Sequence, residues 1–348
     1  MSEAAPTVEG IDTAGVTDWL EAEIEGARPP FEFELIPAGH SNMTFRVSDA
    51  ASHLYVLRRP PLGAVLKTAH DMGREHRIIA ALAPTAVPVP PALGMCEDEE
   101  VNGAPFYVMA FVAGHVLVNA THSEEHTDVA QRGRISDSLA SVLAALHAVD
   151  PDNVGLGTLG KKEAYIARQL RRWRRQWESS KTRELETMET VAQILEDRMP
   201  EQIGAAIVHG DYRLGNCITG SDSRIAAVLD WELCTLGDPL ADVGYLMNDW
   251  VAPGQAPFGS LTEPGPSGAP GYRSREQMLE RYQELSGRTV SDIDYYRAFQ
   301  YWRLAAIVEG VLARFLQGVM GKEADTDGMR LRVEILANSA LERLRGSE

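Results

Sequence analysis

The sequence predicts an α+β fold in two lobes, a small antiparallel β-sheet with one helix and then a larger, mainly helical lobe. At residues 31–35, apolar and polar residues alternate with the period of a half-buried strand. After Gly114, apolar residues recur instead at helical spacing over long segments. Strands followed by helices favour an α+β architecture. We therefore predict an N-terminal lobe at residues 1–111 and a C-terminal lobe at residues 112–348.

The elements of the first lobe are predicted from this alternation and from helix-breaking residues. Residues 1–30 are polar and acidic, and we expect a helical or flexible extension there. Prolines exclude a helix at residues 87–91, which are therefore predicted to be extended. In chain order, we predict a helix at Thr17–Glu25, strands at residues 31–35, Met43–Val47 and Leu54–Leu57, a helix at Lys67–Leu82 and a strand at Phe106–Val112.

Long helical patterns dominate the second lobe, apart from a short β-like segment between Ile207 and Asp230. Residues 252–271 hold five glycines and five prolines, so we expect no regular element there but either a functional lid or a disordered loop. Helices are predicted at Thr127–Val149, within Lys161–Arg198 as one or two elements, near Pro239–Trp250, and at Arg275–Ser286, Asp292–Leu316 and Gly328–Leu344.

Net charge and cysteine content indicate which partners and which cellular compartment to expect. The 348-residue chain has a formal net charge of -17, which disfavours nucleic acid and anionic membranes as main partners. Its three cysteines show no metal-binding spacing, which favours a reducing compartment. The N-terminus lacks the features of a signal peptide, and no apolar run reaches the ~18 residues of a membrane span. We therefore expect a cytoplasmic protein, with its oligomeric state left open.

The strongest chemical signal runs from His209 to Asp230. Its first eight residues are His-Gly-Asp-Tyr-Arg-Leu-Gly-Asn. Residues 217–229 predict a strand, a turn and a second strand, and such a hairpin brings Asn216 and Asp230 at its open ends side by side. Carboxylate and amide oxygens of this kind suit Mg²⁺, and Asp211 offers a separate carboxylate to accept a hydroxyl proton. Phosphoryl transfer requires both features.

This motif resembles the aminoglycoside-phosphotransferase and choline-kinase superfamily, whose members have a protein-kinase-like fold with His-Gly-Asp in the catalytic loop. The extended form at Leu229–Leu246, LDWELCTLGDPLADVGYL, is similar to the kinase domain fused to acyl-CoA dehydrogenases and to stand-alone bacterial relatives. The resemblance covers the chain from residue 30 onward. It implies a kinase that uses ATP or GTP with Mg²⁺ and phosphorylates a small hydroxylated molecule.

The resemblance also implies roles for individual residues. Asp211 is the expected catalytic base, and Asn216 and Asp230 are the expected magnesium ligands. His209 is expected to support the catalytic loop, and Asp242 to be buried and bonded to the loop backbone. These are the residues on which the expected chemistry depends.

A nucleotide site in the first lobe is implied in the same way. Relatives carry a lysine on the third strand, whereas this chain has Arg58, which keeps the charge but is a planar fork rather than a point donor. Glu75 is its expected partner. The other expected nucleotide-binding residues are Gly39, His40, Ser41 and Asn42 in the first turn, and Met109, Ala110 and Val112 at the hinge.

Several alternatives stay open at this point. The acceptor could be a metabolite such as a hydroxyacyl-CoA ester or an aminoglycoside, and a nucleotide-binding pseudokinase is a further possibility because of Arg58. The arginine-rich run Arg168–Arg175 is either a solvated helix face or a site for an anionic substrate. The GxGxxG pattern at residues 155–160 follows a helix rather than a strand, so we do not predict a dinucleotide site there.

Overall fold

The computed structural model describes residues 8–37, 42–63, 71–255, 264–318 and 325–346. The chain divides into two units. The first unit comprises Met1–Ala113 with Ala226–Glu232, and the second comprises Gly114–Ile225 with Leu233–Glu348. Among the described helices, none combines the length and the apolar character needed to cross a bilayer.

An antiparallel sheet of five strands, in the order β1-β2-β3-β5-β4, forms the first unit. One face is buried against α1, whose Val16 and Leu20 pack with Phe45, Leu57 and Phe106. Its elements are α1 (Thr13–Glu23), β1 (Glu32–Leu35), β2 (Met43–Ser48), β3 (Leu54–Arg59), α2 (Met72–Leu82), β4 (Ala92–Cys96), α3 (Glu99–Asn102) and β5 (Phe106–Ala110).

Helices make up most of the second unit, and α10 is its central element, packed against α6, α8 and α11. The elements are α4 (Ala120–His126), α5 (Val129–Ala148), α6 (Tyr165–Ser180), α7 (Glu186–Asp197), β6 (Ala206–Val208), β7 (Cys217–Thr219), β8 (Ile225–Val228), β9 (Thr235–Gly237), α8 (Leu240–Asp249), α9 (Arg275–Ser286), α10 (Ile293–Leu316) and α11 (Thr326–Arg345). Strands β6 and β9 pair antiparallel, whereas β8 straddles the division between the units.

The α+β architecture predicted from the sequence, strands followed by helices, is therefore confirmed, and the differences lie at element ends and in short elements. Helix α1 begins four residues before the predicted Thr17, because the side chain of Asp12 caps it by accepting from the backbone N–H of Gly15 at 3.0 Å. Asp71 caps α2 in the same way, and predicted helical residues 67–70 lie outside the described chain. The strand predicted to reach Val112 ends at Ala110.

The Gly/Pro-rich segment also differs from the prediction that no regular element forms there. Residues 266–268 form a single 3₁₀ turn that packs against α4. The Oγ of Ser267 accepts from the backbone N–H of Val251 at 2.8 Å and donates to the carbonyl of the same residue at 3.1 Å. Residues 264–271 are therefore ordered against the second unit, and residues 256–263 lie outside the described chain.

Candidate active site

The catalytic loop follows strand β6 and contains His209, Gly210 and Asp211. Gly210 has a φ of +87°, in the left-handed region that favours glycine. A Cβ atom at this position would lie 3.0 Å from both the Cβ and the carbonyl oxygen of Leu233. Backbone conformation and close packing therefore both explain the glycine in the His-Gly-Asp motif.

A carboxylate from α8 anchors this loop. Asp242 is 1% exposed and accepts from the backbone N–H of His209 at 2.7 Å and of Gly210 at 2.8 Å. The Nε2 atom of His147 lies 3.3 Å from the same carboxylate. His209 is itself buried, and its Nδ1 accepts from the backbone N–H of Asp211 at 3.2 Å. The side chains of Asp242 and His209 thus bind the loop backbone from the interior of the protein.

Asp211 and Asn216 contact each other within the same segment, where Asn216 is buried and the Asp211 side chain is 20% exposed. The amide Nδ2 of Asn216 donates to the Asp211 carboxylate at 2.7 Å and to its backbone carbonyl at 2.9 Å. The amide oxygen of Asn216 makes no hydrogen bond within the described residues. The Oδ1 atom of Asp211 is buried and has no hydrogen-bond partner among them, although the Nε of Arg213 lies 3.5 Å away. The amide oxygen of Asn216 is therefore left for a ligand, whereas the Asp211 carboxylate is oriented by Asn216 and lies beside the Arg213 cation.

In the first unit, a cation from β3 contacts two carboxylates. The guanidinium of Arg58 lies 2.8 Å from Asp230 and 3.4 Å from Glu75, and the arginine side chain is only 12% exposed. Glu75 also accepts from the hydroxyl of Tyr107 at 3.0 Å and from the amide of Asn42 at 3.2 Å. Burial raises the pKa of Glu75 although Arg58 lowers it. Arg58 thus occupies a fixed position beside Asp230.

Asp230 has an unusual backbone conformation. Its φ of +65° is uncommon for a residue with a side chain and costs of order 1 kcal/mol. Such conformations concentrate at functional sites. Only one carboxylate oxygen contacts Arg58, and the side chain is 28% exposed, which leaves the second oxygen available.

The remaining predicted nucleotide-binding residues differ in what they offer. Gly39, His40 and Ser41 lie outside the described residues. Met109 is buried in β5, and the backbone N–H of Ala110 donates to the Pro91 carbonyl at 2.9 Å, so only its carbonyl remains for a base. Val112 follows the strand and makes no backbone hydrogen bond within the described chain. The side-chain amide of Asn42 donates to Glu75 at 3.2 Å.

Comparison with known proteins identifies the family. Residues 32–285 match the phosphotransferase enzyme family. The chain belongs to this family. It is 35% identical over 308 residues to mouse acyl-CoA dehydrogenase family member 10, covering 86% of this chain and 28% of that protein. The phosphotransferase chain thus spans less than a third of that relative's length.

Solved structures agree with this assignment. A Ralstonia eutropha protein provisionally named an aminoglycoside phosphotransferase is 34% identical, with a TM-score of 0.83 and coverage of 97% of this chain and 99% of its own. Choline kinase from Cryptosporidium parvum has a TM-score of 0.67 at 12% identity, covering 95% of this chain and 96% of its own, which shows the shared fold alone.

Sequence reasoning identified Asp242 but missed the polar stripe to which it belongs on α8 of this phosphotransferase, which also contains Tyr245 and Asp249. Asp242, Tyr245 and Asp249 follow an i, i+3, i+7 spacing, which places them on one face of the helix. Three effects raise the pKa of the Tyr245 hydroxyl. Burial is the largest, and the charge of Asp211 and a hydrogen bond to Asp211 add to it. The same spacing in the sequence, within an otherwise apolar helix, could have revealed the stripe.

Two arginines near the loop were also missed. Arg303 of α10 is buried, donates to the carbonyl of Gly210 at 3.3 Å and lies 5.9 Å from the ring centre of Tyr245. Arg213 faces Asp211 within the loop itself. Arg303 could have been recognised from the sequence, because it is a cation on the inward side of an apolar helix. Nothing in the sequence around Arg213 distinguishes it from a surface arginine.

Asp249 provides a test of these electrostatics. Burial raises its pKa to about 6; Arg213 lowers the value and Asp211 raises it. The folded state therefore keeps a proton that the unfolded state has lost, so wild-type stability falls as pH rises from about 4 to about 6. We expect Asp249→Asn to gain about 1–2 kcal/mol relative to wild type between about pH 4.5 and about pH 8. Urea unfolding at both pH values measures this difference.

Asp327→Asn is the matched control, because that carboxylate is 91% exposed in the same unit. Its stability difference from wild type should change little over the same pH interval. If the stability difference between Asp249→Asn and the wild type also changed little over this pH interval, the raised pKa of Asp249 would be contradicted.

Proposed function

We propose that this chain transfers the γ-phosphoryl group of ATP or GTP to the hydroxyl of a small metabolite in a magnesium-dependent reaction. The observation that carries the proposal is the Asp211–Asn216 pair, in which the amide of Asn216 orients the Asp211 carboxylate and the buried Oδ1 has no hydrogen-bond partner among the described residues. A carboxylate held in this way can accept a hydroxyl proton. Family membership supports phosphoryl transfer as the chemistry.

The donor atoms fit a magnesium ion. Asp230 offers a carboxylate oxygen and Asn216 an amide oxygen, and hard oxygen ligands of this kind are those that Mg²⁺ prefers. A bound Mg²⁺ would supply positive charge that offsets the negative charge of the nucleotide phosphates during transfer. Asp230 and Asn216 are therefore the proposed magnesium ligands.

Side chains of the protein perform the remaining roles in the proposed reaction. Asp211 orients the acceptor hydroxyl and takes its proton. Arg58, positioned by Glu75, presents a cation to the nucleotide phosphates. Arg213 lies beside Asp211 and can stabilise negative charge near the base. The complete set of Asp211, Asn216 and Asp230 favours an active enzyme over a pseudokinase.

A basic cavity on α6 favours an anionic acceptor. The cavity has a volume of about 790 Å³ and is lined by Arg168, Arg171, Arg174, Arg175, Glu178 and Ser179. Arg174 pairs with Glu196 at 2.7 Å, whereas Arg171 and Arg175 are exposed and make no ion pair among the described residues. In a protein of net charge -17, this group supplies a local site for phosphate or carboxylate groups.

The geometry of α6 indicates that such an acceptor is long. Trp173 on this helix lies 5.6 Å from the guanidinium of Arg303, which binds the catalytic loop. At 100° per residue, Arg171 and Arg175 lie about 160° around the helix from Trp173. An anionic group bound there would be at least about one helix diameter, 10–12 Å, from the catalytic side. A hydroxyacyl-CoA ester has this form, and the similarity to acyl-CoA dehydrogenase family members supports it.

Neutralising the two exposed arginines tests this acceptor class. We expect R171Q/R175Q to raise KM for a hydroxyacyl-CoA about tenfold or more, with a much smaller change in kcat, because the lost contacts bind the substrate away from the reacting atoms. Steady-state kinetics measure both constants. The control R77Q/R345Q removes the same charge from exposed positions elsewhere. Equal effects of the two double variants would reject a specific anion site on α6.

A further inference from the structure

A histidine cluster on α4 lies outside the catalytic residues. Three of the chain's nine histidines fall within residues 115–126. His122, Glu125 and His126 follow an i, i+3, i+4 spacing, which places their side chains on one face of the helix. One ring nitrogen of each histidine and one carboxylate oxygen of the glutamate lie within 4.8 Å of one another.

A third imidazole completes the cluster. The ring of His115 stacks on that of His126, with centroids 4.1 Å apart and planes at 13°. The backbone of His115 is fixed by a bridge to Thr219, with hydrogen bonds of 2.9 and 3.0 Å. The Nδ1 atom of His122 is buried and has no hydrogen-bond partner among the described residues. A buried polar nitrogen without a partner is costly unless something binds it.

The surrounding contacts hold α4 in place. The Oγ of Ser123 lies 3.0 Å from the hydroxyl of Tyr272. The guanidinium of Arg132 donates to the carbonyl of Ser123 at 3.2 Å and to that of Pro270 at 2.7 Å. The cluster is therefore carried by an anchored helix rather than by a loose loop, and sites on anchored helices keep their geometry.

We propose that His122, Glu125 and His126 bind one transition-metal ion of the zinc class, with His115 alongside. Imidazole nitrogens with one carboxylate suit Zn²⁺, Ni²⁺ or Cu²⁺ better than Mg²⁺. Ligand atoms at about 2.0–2.2 Å from a common ion lie at most about 4 Å apart, so a modest rotation of the exposed Glu125 and His126 side chains closes the site. Three protein ligands leave a fourth position for water.

This inference is independent of the proposed phosphoryl transfer. An ion on α4 that bound the folded state alone would stabilise it, by an amount that grows with the logarithm of the free ion concentration above the dissociation constant. It would also stiffen the helix against which residues 264–273 pack. The three cysteines are buried in the fold, and burial raises the pKa of Cys96 and Cys217, so their thiols are poor competitors for the metal.

Isothermal titration of the full chain with zinc chloride, in excess magnesium to fill oxygen sites, tests the proposal. We expect one zinc site in the wild type, with affinity at least about tenfold weaker in both His126→Ala and Glu125→Gln. Both side chains are exposed, so these variants should fold, and circular dichroism checks this. Glu124→Gln, on the same helix, should bind as the wild type does. Absence of wild-type binding, or unchanged affinity in both site variants, would overturn the proposal.

Discussion

Asp211→Asn is expected to lower kcat by at least about a hundredfold while leaving nucleotide affinity nearly unchanged. Asparagine has the shape of the carboxylate and can still accept the hydrogen bond from Asn216, but it cannot take a proton from the acceptor. The loss should therefore fall on the chemical step. Steady-state kinetics give kcat, and titration with a non-hydrolysable nucleotide gives the binding constant.

Asp222→Asn is a suitable control for this variant. Asp222 lies in an exposed turn of the same unit, where its side chain accepts only from the backbone N–H of Arg224 at 3.1 Å. Its kcat should match that of the wild type. Near-normal turnover by Asp211→Asn would remove Asp211 from the role of base and would leave the loop with a binding function only.

Asp230→Ala is expected to abolish magnesium-dependent nucleotide binding. The change removes a proposed metal ligand and also leaves Arg58 with Glu75 as its remaining carboxylate partner at the site. Removal of a metal ligand weakens binding far more than removal of a surface charge does. Titration of ATP with and without Mg²⁺ measures the effect.

Asp18→Ala, an exposed carboxylate on α1 in the same unit, provides the matched loss of charge. It should retain the full magnesium dependence. If Asp230→Ala bound ATP as tightly as the wild type and with the same dependence on magnesium, the metal site would have been placed on the wrong residues.

The parts of the fold that were predictable carry strong local patterns. Strand alternation and the prolines at residues 87–91 fix the order of the first unit, and long helical periodicity fixes that of the second. Strand β9 and helix α3 were missed because three or four residues are too few to show a period. The helix starts were misplaced because Asp12 and Asp71 act as caps through single side-chain contacts.

The candidate site also contains residues that the sequence predicts and residues that only the structure reveals. Asp211, Asn216 and Asp230 lie within one short stretch of chain, so sequence order and the family resemblance were enough to propose them as one site. Arg303 reaches the loop from α10, almost a hundred residues away, and only the folded structure shows this contact. Chemistry carried by one segment of the sequence is predictable, whereas support from distant helices depends on tertiary packing.

The histidine cluster on α4 is predictable from the sequence only in part. His122, Glu125 and His126 are close in sequence, and their spacing alone would have suggested a metal site. The stacked ring of His115 could not have been predicted, because its position depends on the bridge to Thr219. Local spacing therefore supplies the ligands, and the fold supplies their surroundings.

The central claim, that this phosphotransferase is an active magnesium-dependent kinase, is tested most directly by ADP formation from ATP with a panel of acceptors. The panel should hold hydroxyacyl-CoA esters, choline-like alcohols, sugars and aminoglycosides, with Asp211→Asn as the blank. We expect at least one acceptor, most of all a hydroxyacyl-CoA, to stimulate ADP formation that needs Mg²⁺ and disappears in the blank. Failure of the wild type to bind ATP in the presence of Mg²⁺, or ADP formation that persists unchanged in the blank, would contradict the claim.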